Sequence, residues 1–179
     1  MSDDETHARA ADSVNVLLTE WQRERPDIDT WPIAIFARIL RLSAQMTQMS
    51  AEWLKEEDLT WEAFSLIVTL RRQGVPYEMR PTEILRDSLL TSGAVTNRVD
   101  RVVALGLVER GRDPQDRRGV VVRLTDTGVA RADRAITAHA EHLSQMLSGL
   151  VPEERIALTA LLQTTLVQVE GLSTKPKAV

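Results

Sequence analysis

A mainly α-helical fold with one small β-hairpin is what this sequence predicts, and three observations lead there. Apolar residues recur at helical spacing along most of the chain. The period changes to strand-like runs only around residues 107–124. A charged, turn-rich loop separates those two runs.

The elements follow in order. An amphipathic helix is expected from Glu5 to Glu24, with Ala8, Ala11, Leu17, Leu18 and Trp21 near one stripe, and Pro26 with the acids around it breaks it. A long helix is expected from Pro32, with proline at its first position. Its apolar residues Ile35, Phe36, Ile39, Leu42, Met46, Met49 and Trp53 keep a helical step, a run long enough to need a partner such as a second subunit. Thr60 caps a helix carrying Phe64, Ile67, Val68 and Leu70 that stops at Gly74. A connector follows, with room for one short strand about Met79. Pro81 opens a short helix, Leu89–Thr91 forms a tight turn, and Ser92 to Leu105 forms a further helix stopped by Gly106. Val95, Val99, Val102 and Leu105 are its inward positions. Strands at Leu107–Arg110 and Val120–Leu124 flank a loop from Gly111 to Gly119. Thr125 caps a helix from Asp126 to about Ser148, with Val129, Ala132, Ile136, Ala140, Leu143 and Leu147 inward. Pro152 starts the last helix, whose stripe is Ile156, Leu161, Leu162, Leu166 and Val169.

Composition narrows the function. Hydrophobic residues make up 43% of the 179 and charged residues 27%, the balance of a chain that buries a core. No apolar run approaches the ~20 residues of a membrane span, and the acidic start lacks the basic-then-apolar order of a signal peptide. A cytoplasmic location is therefore expected. Cysteine is absent, so disulfides, thiolate nucleophiles and Cys-ligated metals are excluded. Net charge is -4, yet residues 71–123 hold eleven arginines against seven acids, a local +4 beside -8 elsewhere. Arginine's planar fork suits phosphates and guanine edges; a solvated surface rich in arginine is the plain alternative.

Helix, short helix, tight turn, helix and hairpin is the order of a winged helix-turn-helix. Such a fold places the second helix of the pair in the major groove, with its N-terminal residues at base edges. In the helix from Ser92, the residues left facing outward or to the flanks are Ser92, Gly93, Thr96, Asn97, Asp100 and Arg101. The hairpin tip offers Arg117 and Arg118 to a minor groove or to phosphates.

Three segments resemble the MarR family of winged-helix transcriptional regulators. They are Thr91-Ser-Gly-Ala-Val-Thr-Asn-Arg-Val-Asp-Arg-Val, Gly106-Leu-Val-Glu-Arg, and Asp113-Pro-Gln-Asp-Arg-Arg-Gly-Val-Val-Val-Arg-Leu-Thr-Asp-Thr-Gly128. The resemblance runs from about Pro32 to Leu172, and the wing followed by Leu-Thr-x-x-Gly is its most specific part. It implies a homodimer built by the N- and C-terminal helices on a pseudo-palindromic DNA operator. It also implies that Arg118 enters the minor groove and that Asp116 braces the wing arginines; Asp116 equally suits a turn. Ser92, Gly93, Thr96, Asn97, Arg98 and Arg101 are the recognition-helix candidates, and Asp116, Arg117 and Arg118 those of the wing. The resulting divisions are 1–56 for the extension and first dimerisation helix, 57–125 for the DNA-binding lobe, 126–172 for the C-terminal dimerisation helices and 173–179 for a tail.

No catalytic constellation, phosphate-cradling glycine loop or metal cluster is present in the sequence, so neither enzymatic activity nor a cofactor is expected. His139 and His142 lie one helical turn apart, a spacing open to a shared metal but more simply that of interface or surface residues. A winged helix can also serve protein interaction alone, and an apolar patch in place of the arginine-rich tip would mark that alternative. The N-terminal helix bearing Trp21 is similar to that of a family subset responding to urate or related small anions. There a tryptophan, an acid of the second helix and an arginine of the recognition helix combine. Trp21 and Arg98 match, but Ser65 stands at the acid's position, which argues against urate itself. The effector expected is an anionic, aromatic or phenolic small molecule, with Trp21, Arg38, Arg41, Ser65 and Arg98 as candidate contacts. Trp21 could equally be a plain hydrophobic anchor of the extension.

Overall fold

The computed structural model describes residues 12–88, 92–114, 116 and 119–173. The backbone divides into two compact units, Met1–Glu62 and Ala63–Val179.

In the first unit, α1 (Ser13–Glu24) packs on α2 (Trp31–Glu56). Asp12 caps α1, its carboxylate accepting from the amides of Val14 at 2.8 Å and Asn15 at 3.2 Å. The part of the expected helix before Asp12, with Ala8 and Ala11, lies outside the described residues. Val14, which the periodicity left off the stripe, is the buried residue of α1, whereas Trp21 is 42% exposed. Polar bonds join α1 to α2 within this unit. Arg38 donates to Asp12 at 2.8 Å and to Asn15 Oδ1 at 2.6 Å, and Arg41 donates to Ser13 Oγ. Pro32 is the second residue of α2, not the first. Trp31 opens the helix with its amide donating to Asp29 Oδ1 at 3.2 Å, and proline at the next position removes an amide that would lack a helical partner. Ile35, Phe36 and Leu42 on α2 are exposed.

The second unit carries the sheet. α3 (Trp61–Arg71) buries Ala63, Phe64, Leu66, Ile67 and Leu70. β1 (Glu78–Met79), α4 (Pro81–Ser88), α5 (Ser92–Ala104), β2 (Val108–Arg112) and β3 (Val120–Leu124) follow. The short strand at Met79 does more than interrupt a connector: it pairs antiparallel with β3, so the hairpin becomes a three-stranded sheet of order β1-β3-β2. Gly111 and Arg112, expected in the loop, belong to β2 because they pair with Val121 and Val120. The tight turn expected at Leu89–Thr91 lies outside the described residues.

Val95, Val99 and Val102 are buried as their spacing predicts, but Leu105 is exposed. The helix stops at Ala104, and Gly106 takes a φ of +70° that side-chain-bearing residues rarely adopt. The amides of Gly106 and Leu107 then return to the carbonyls of Val103 and Val102, and the buried apolar place falls to Leu107.

α6 (Asp126–Met146) ends before Gly149, earlier than its composition suggests, and α7 (Pro152–Ser173) completes the chain. Leu124-Thr-x-x-Gly128 is explained at the start of α6. Thr125 Oγ1 donates to the Gly106 carbonyl at 2.8 Å and accepts from the Gly128 amide at 3.0 Å. A Cβ at Gly128 would lie 1.9 Å from the Leu107 carbonyl oxygen, so only glycine permits this approach. The buried face of α6 is accordingly Gly128, Ala132 and Ala135, small residues that let the helix lie close. Ile136, Ala140 and Leu147, expected inward, face out of this chain. α7 buries nothing: Ile156 is 73% exposed and Leu161 67%. No helix among the described residues is long and apolar enough to cross a membrane.

Candidate nucleic-acid interface

In the second unit, the anchoring of α5 decides which residues it offers. With Val95, Val99 and Val102 buried, Gly93, Thr96, Asn97 and Arg101 are exposed, and Arg98 is half-buried on the flank. Ser92 is the first helical residue. At its other flank α5 is tied to the sheet: Arg110 on β2 donates to Asp100 at 2.5 Å. Asp100 therefore neutralises a strand arginine and orients the helix against the hairpin.

The arginine excess resolves into two groups. Arg71, Arg80, Arg110 and Arg123 are held by Asp133, Asp113, Asp100 and Glu78. Arg71 also lies over the Tyr77 ring at 4.7 Å, and its bond to Asp133 raises its pKa above the ordinary guanidinium value. Arg123 and Glu78 are register partners across β1 and β3, so their pair reinforces the short strand. Arg86, Arg98, Arg101 and Arg112 make no ion pair among the described residues. These cations are carried by α4, α5 and β2, the elements of the expected DNA-facing side.

At the wing, Arg117 and Arg118 lie outside the described residues. Asp116 is exposed, and its carbonyl accepts from the Gly119 amide at 2.8 Å, the turn-forming role its residue type suits. Its charge also adds to the field of the acids around Arg80, whose pKa is raised first by its bond to Asp113. Arg80 and Asp113 were not among the sequence-derived site residues. They are 33 positions apart in the chain and meet only because β1 joins the sheet.

The effector candidates fall in both units. In the first, Arg38 and Arg41 line a cleft of about 250 Å³ with Asp12, Ser13, Val14, Leu42 and Gln45. The Arg38 bond holds the Asp12 carboxyl below its ordinary pKa. Trp21 lies farther along α1 and is not among the cleft residues. In the second, Ser65 and Arg98 are half-buried on α3 and α5. His139 packs edge-on to Phe64, ring centres 4.9 Å apart, and burial together with the nearby His142 charge lowers its pKa.

A helix anchored by valines with a small polar face outward, backed by a braced helix and flanked by a charged two-strand wing, defines a winged helix-turn-helix of the DNA-binding class. The MarR family model matches residues 59–120, from the approach to α3 to the start of β3. The chain is 32% identical to the HTH-type transcriptional regulator PecS of Dickeya dadantii over 149 residues, covering 83% of this chain and 90% of that one. It is also 32% identical over 116 residues to the multiple antibiotic resistance protein MarR of Escherichia coli, covering 64% of this chain and 78% of the relative. Among solved structures, a mutant MarR from E. coli complexed with operator DNA superposes with a TM-score of 0.67 at 27% identity, covering 76% of this chain and 96% of that one. AbsC from Streptomyces coelicolor shares the fold at a TM-score of 0.70 and 21% identity, covering 80% and 97%. The chain belongs to the MarR family and is a transcriptional regulator with a winged-helix fold.

Proposed function

We propose that this regulator binds a pseudo-palindromic operator as a homodimer, with α5 of each subunit in a major groove and the β2–β3 wing at the flanking minor groove. The observation that carries this reading is the exposed face of α5 beside arginines that the lobe leaves without an ion pair among its described residues. Ser92, Gly93, Thr96 and Asn97 approach base edges, while Arg98 and Arg101 reach phosphates. Arg118 enters the minor groove with Arg117 beside it, and Asp116 braces them. The operator-bound MarR structure from E. coli supports the DNA partner. The exposed apolar residues of α2 and α7 support a second subunit, which divides the chain into dimerising segments 1–56 and 126–172 around a DNA-binding lobe at 57–125. The protein acts in the cytoplasm and without catalysis. A small anionic aromatic effector weakens operator binding by competing with Asp12 for Arg38 and with Ser13 for Arg41, with Trp21 as a further contact. The exposed indole and the cleft guanidiniums support that choice of chemistry.

Genome-wide selection of bound fragments tests the reading. Half-sites about one helical turn apart, ~10 bp, are expected. Arg101→Ala and Arg112→Ala should each weaken binding across all sequences and flatten the salt dependence by about one phosphate contact. Asn97→Ala should change base preference instead. A folded dimer that enriches no motif would favour the protein-interaction alternative.

A further inference from the structure

We infer that Arg80 and Asp113 are positioning residues for DNA binding: their ion pair holds the base of the wing at a set place relative to the helix-turn-helix. The inference rests on the proposed DNA-binding reading and extends it to two residues outside the recognition surface.

Asp113 is the first residue after β2, and its side chain is 3% exposed. A carboxylate that deep keeps its charge only with a partner, and Arg80 donates to it through Nε. Arg80 stands between β1 and α4. Its own amide donates to Glu83 Oε2 at 2.7 Å, and its carbonyl accepts from the amides of Glu83 and Ile84, which starts α4. One residue thus caps the first helix of the helix-turn-helix with its backbone and grips the wing with its side chain. Asp113 in turn organises the connection. Its amide donates to the Gly119 carbonyl at 3.1 Å, and a Cβ at Gly119 would lie 2.8 Å from the Asp113 Cβ and 3.1 Å from that of Asp116. The loop base is therefore packed around the buried carboxylate. Of the neighbouring acids, Glu78 is held by Arg123 and Glu83 by the Arg80 amide, while the charges of Glu83 and Asp116 add to the field on the Arg80 guanidinium. The cleft around the pair is lined by Glu78, Met79, Glu83, Pro114 and Val121 and by none of Val95, Val99 and Val102, so loss of the pair is expected to release the wing and leave the lobe folded. Only the carboxylate is buried, the Arg80 side chain being 41% exposed, so the guanidinium reaches in from the surface and its directional bond sets the wing base where an apolar contact would not.

The test uses the full-length protein and the operator it selects. Removing a negative charge by Asp113→Asn should tighten binding to polyanionic DNA if charge alone acted. Positioning predicts the opposite: affinity weaker by roughly ten-fold or more, as when a minor-groove contact is lost. Hydroxyl-radical footprints should lose protection in the flanking minor groove and keep it over the α5 half-sites. Arg80→Gln should reproduce this pattern, and Arg80→Lys, which keeps the charge without the fork, should restore part of the affinity. Undiminished binding by Asp113→Asn with intact minor-groove protection overturns the inference. So does weakening by Arg80→Gln alone, which would make Arg80 a direct phosphate contact. Loss of the folded state in both Asp113→Asn and Arg80→Lys overturns it too, assigning the pair to stability. A wild-type protein that selects no operator removes the DNA-binding reading itself, and the inference falls with it.

Discussion

α3 and α7 make opposite use of apolar sequence. α3, 11 residues long, buries five side chains against its own lobe. α7 is twice that length and leaves Ile156, Leu161, Leu162, Leu166 and Val169 open. The difference teaches where this protein is complete. The lobe from α3 to β3 buries Ile67, Leu70, Val99, Val102 and Val122, and α6 closes on it through Gly128 at Leu107 and His139 at Phe64. α7 carries a comparable apolar content that the described residues leave exposed, as one half of a divided core would be. The contrast separates a lobe with a buried core from a helix whose apolar stripe stays exposed among the described residues.

The sharpest way to break this contrast is to charge α7. Leu161→Glu with Leu166→Glu should leave the lobe's secondary structure in place and convert the proposed dimer to a species of 20.1 kDa by light scattering, with operator affinity falling by orders of magnitude. If the doubly charged protein keeps twice that mass, α7 is not the second half of a core. A smaller effect is expected within the complete region. Gly128→Ala drives a methyl group into the Leu107 carbonyl, and the lobe should lose about 3 kcal/mol or more in denaturant unfolding, because neither backbone can yield cheaply. Stability unchanged by that substitution would mean that α6 slides freely on the lobe. The smallest effect concerns His139, at the margin between the two regions. Its pKa lies below the ordinary 6.5 through burial and the His142 charge, so the unfolded chain takes up the proton more readily. Its contribution is complete above pH 6.5 and is lost as pH falls from there through the folded-state value. His139→Phe should flatten that part of the stability-pH curve, and an unaltered slope would place the titration elsewhere.

Much of the proposed recognition surface was legible because it depends on local spacing. Val95, Val99 and Val102 recur at helical intervals, so their burial and the exposure of Thr96 and Asn97 follow from the sequence. Leu105 misled because periodicity does not reveal where the chain turns; the positive φ of Gly106 moves the apolar role to Leu107. Ile136 and Leu147 misled for another reason: an apolar stripe does not say whether its partner lies in the same chain.

By itself, then, the sequence determined the order of the helices, the wing, the capping of α6 by Thr125 and the winged-helix class, since capping and helical spacing act over a few neighbouring residues. Only the tertiary structure decided that β1 joins the hairpin, that Gly128 is a point of backbone contact, and that Arg80 meets Asp113. Those pairings link positions tens of residues apart, and no local periodicity encodes them. They arise when strands register and helices stack, which carries the Arg80 guanidinium to the buried Asp113 carboxylate.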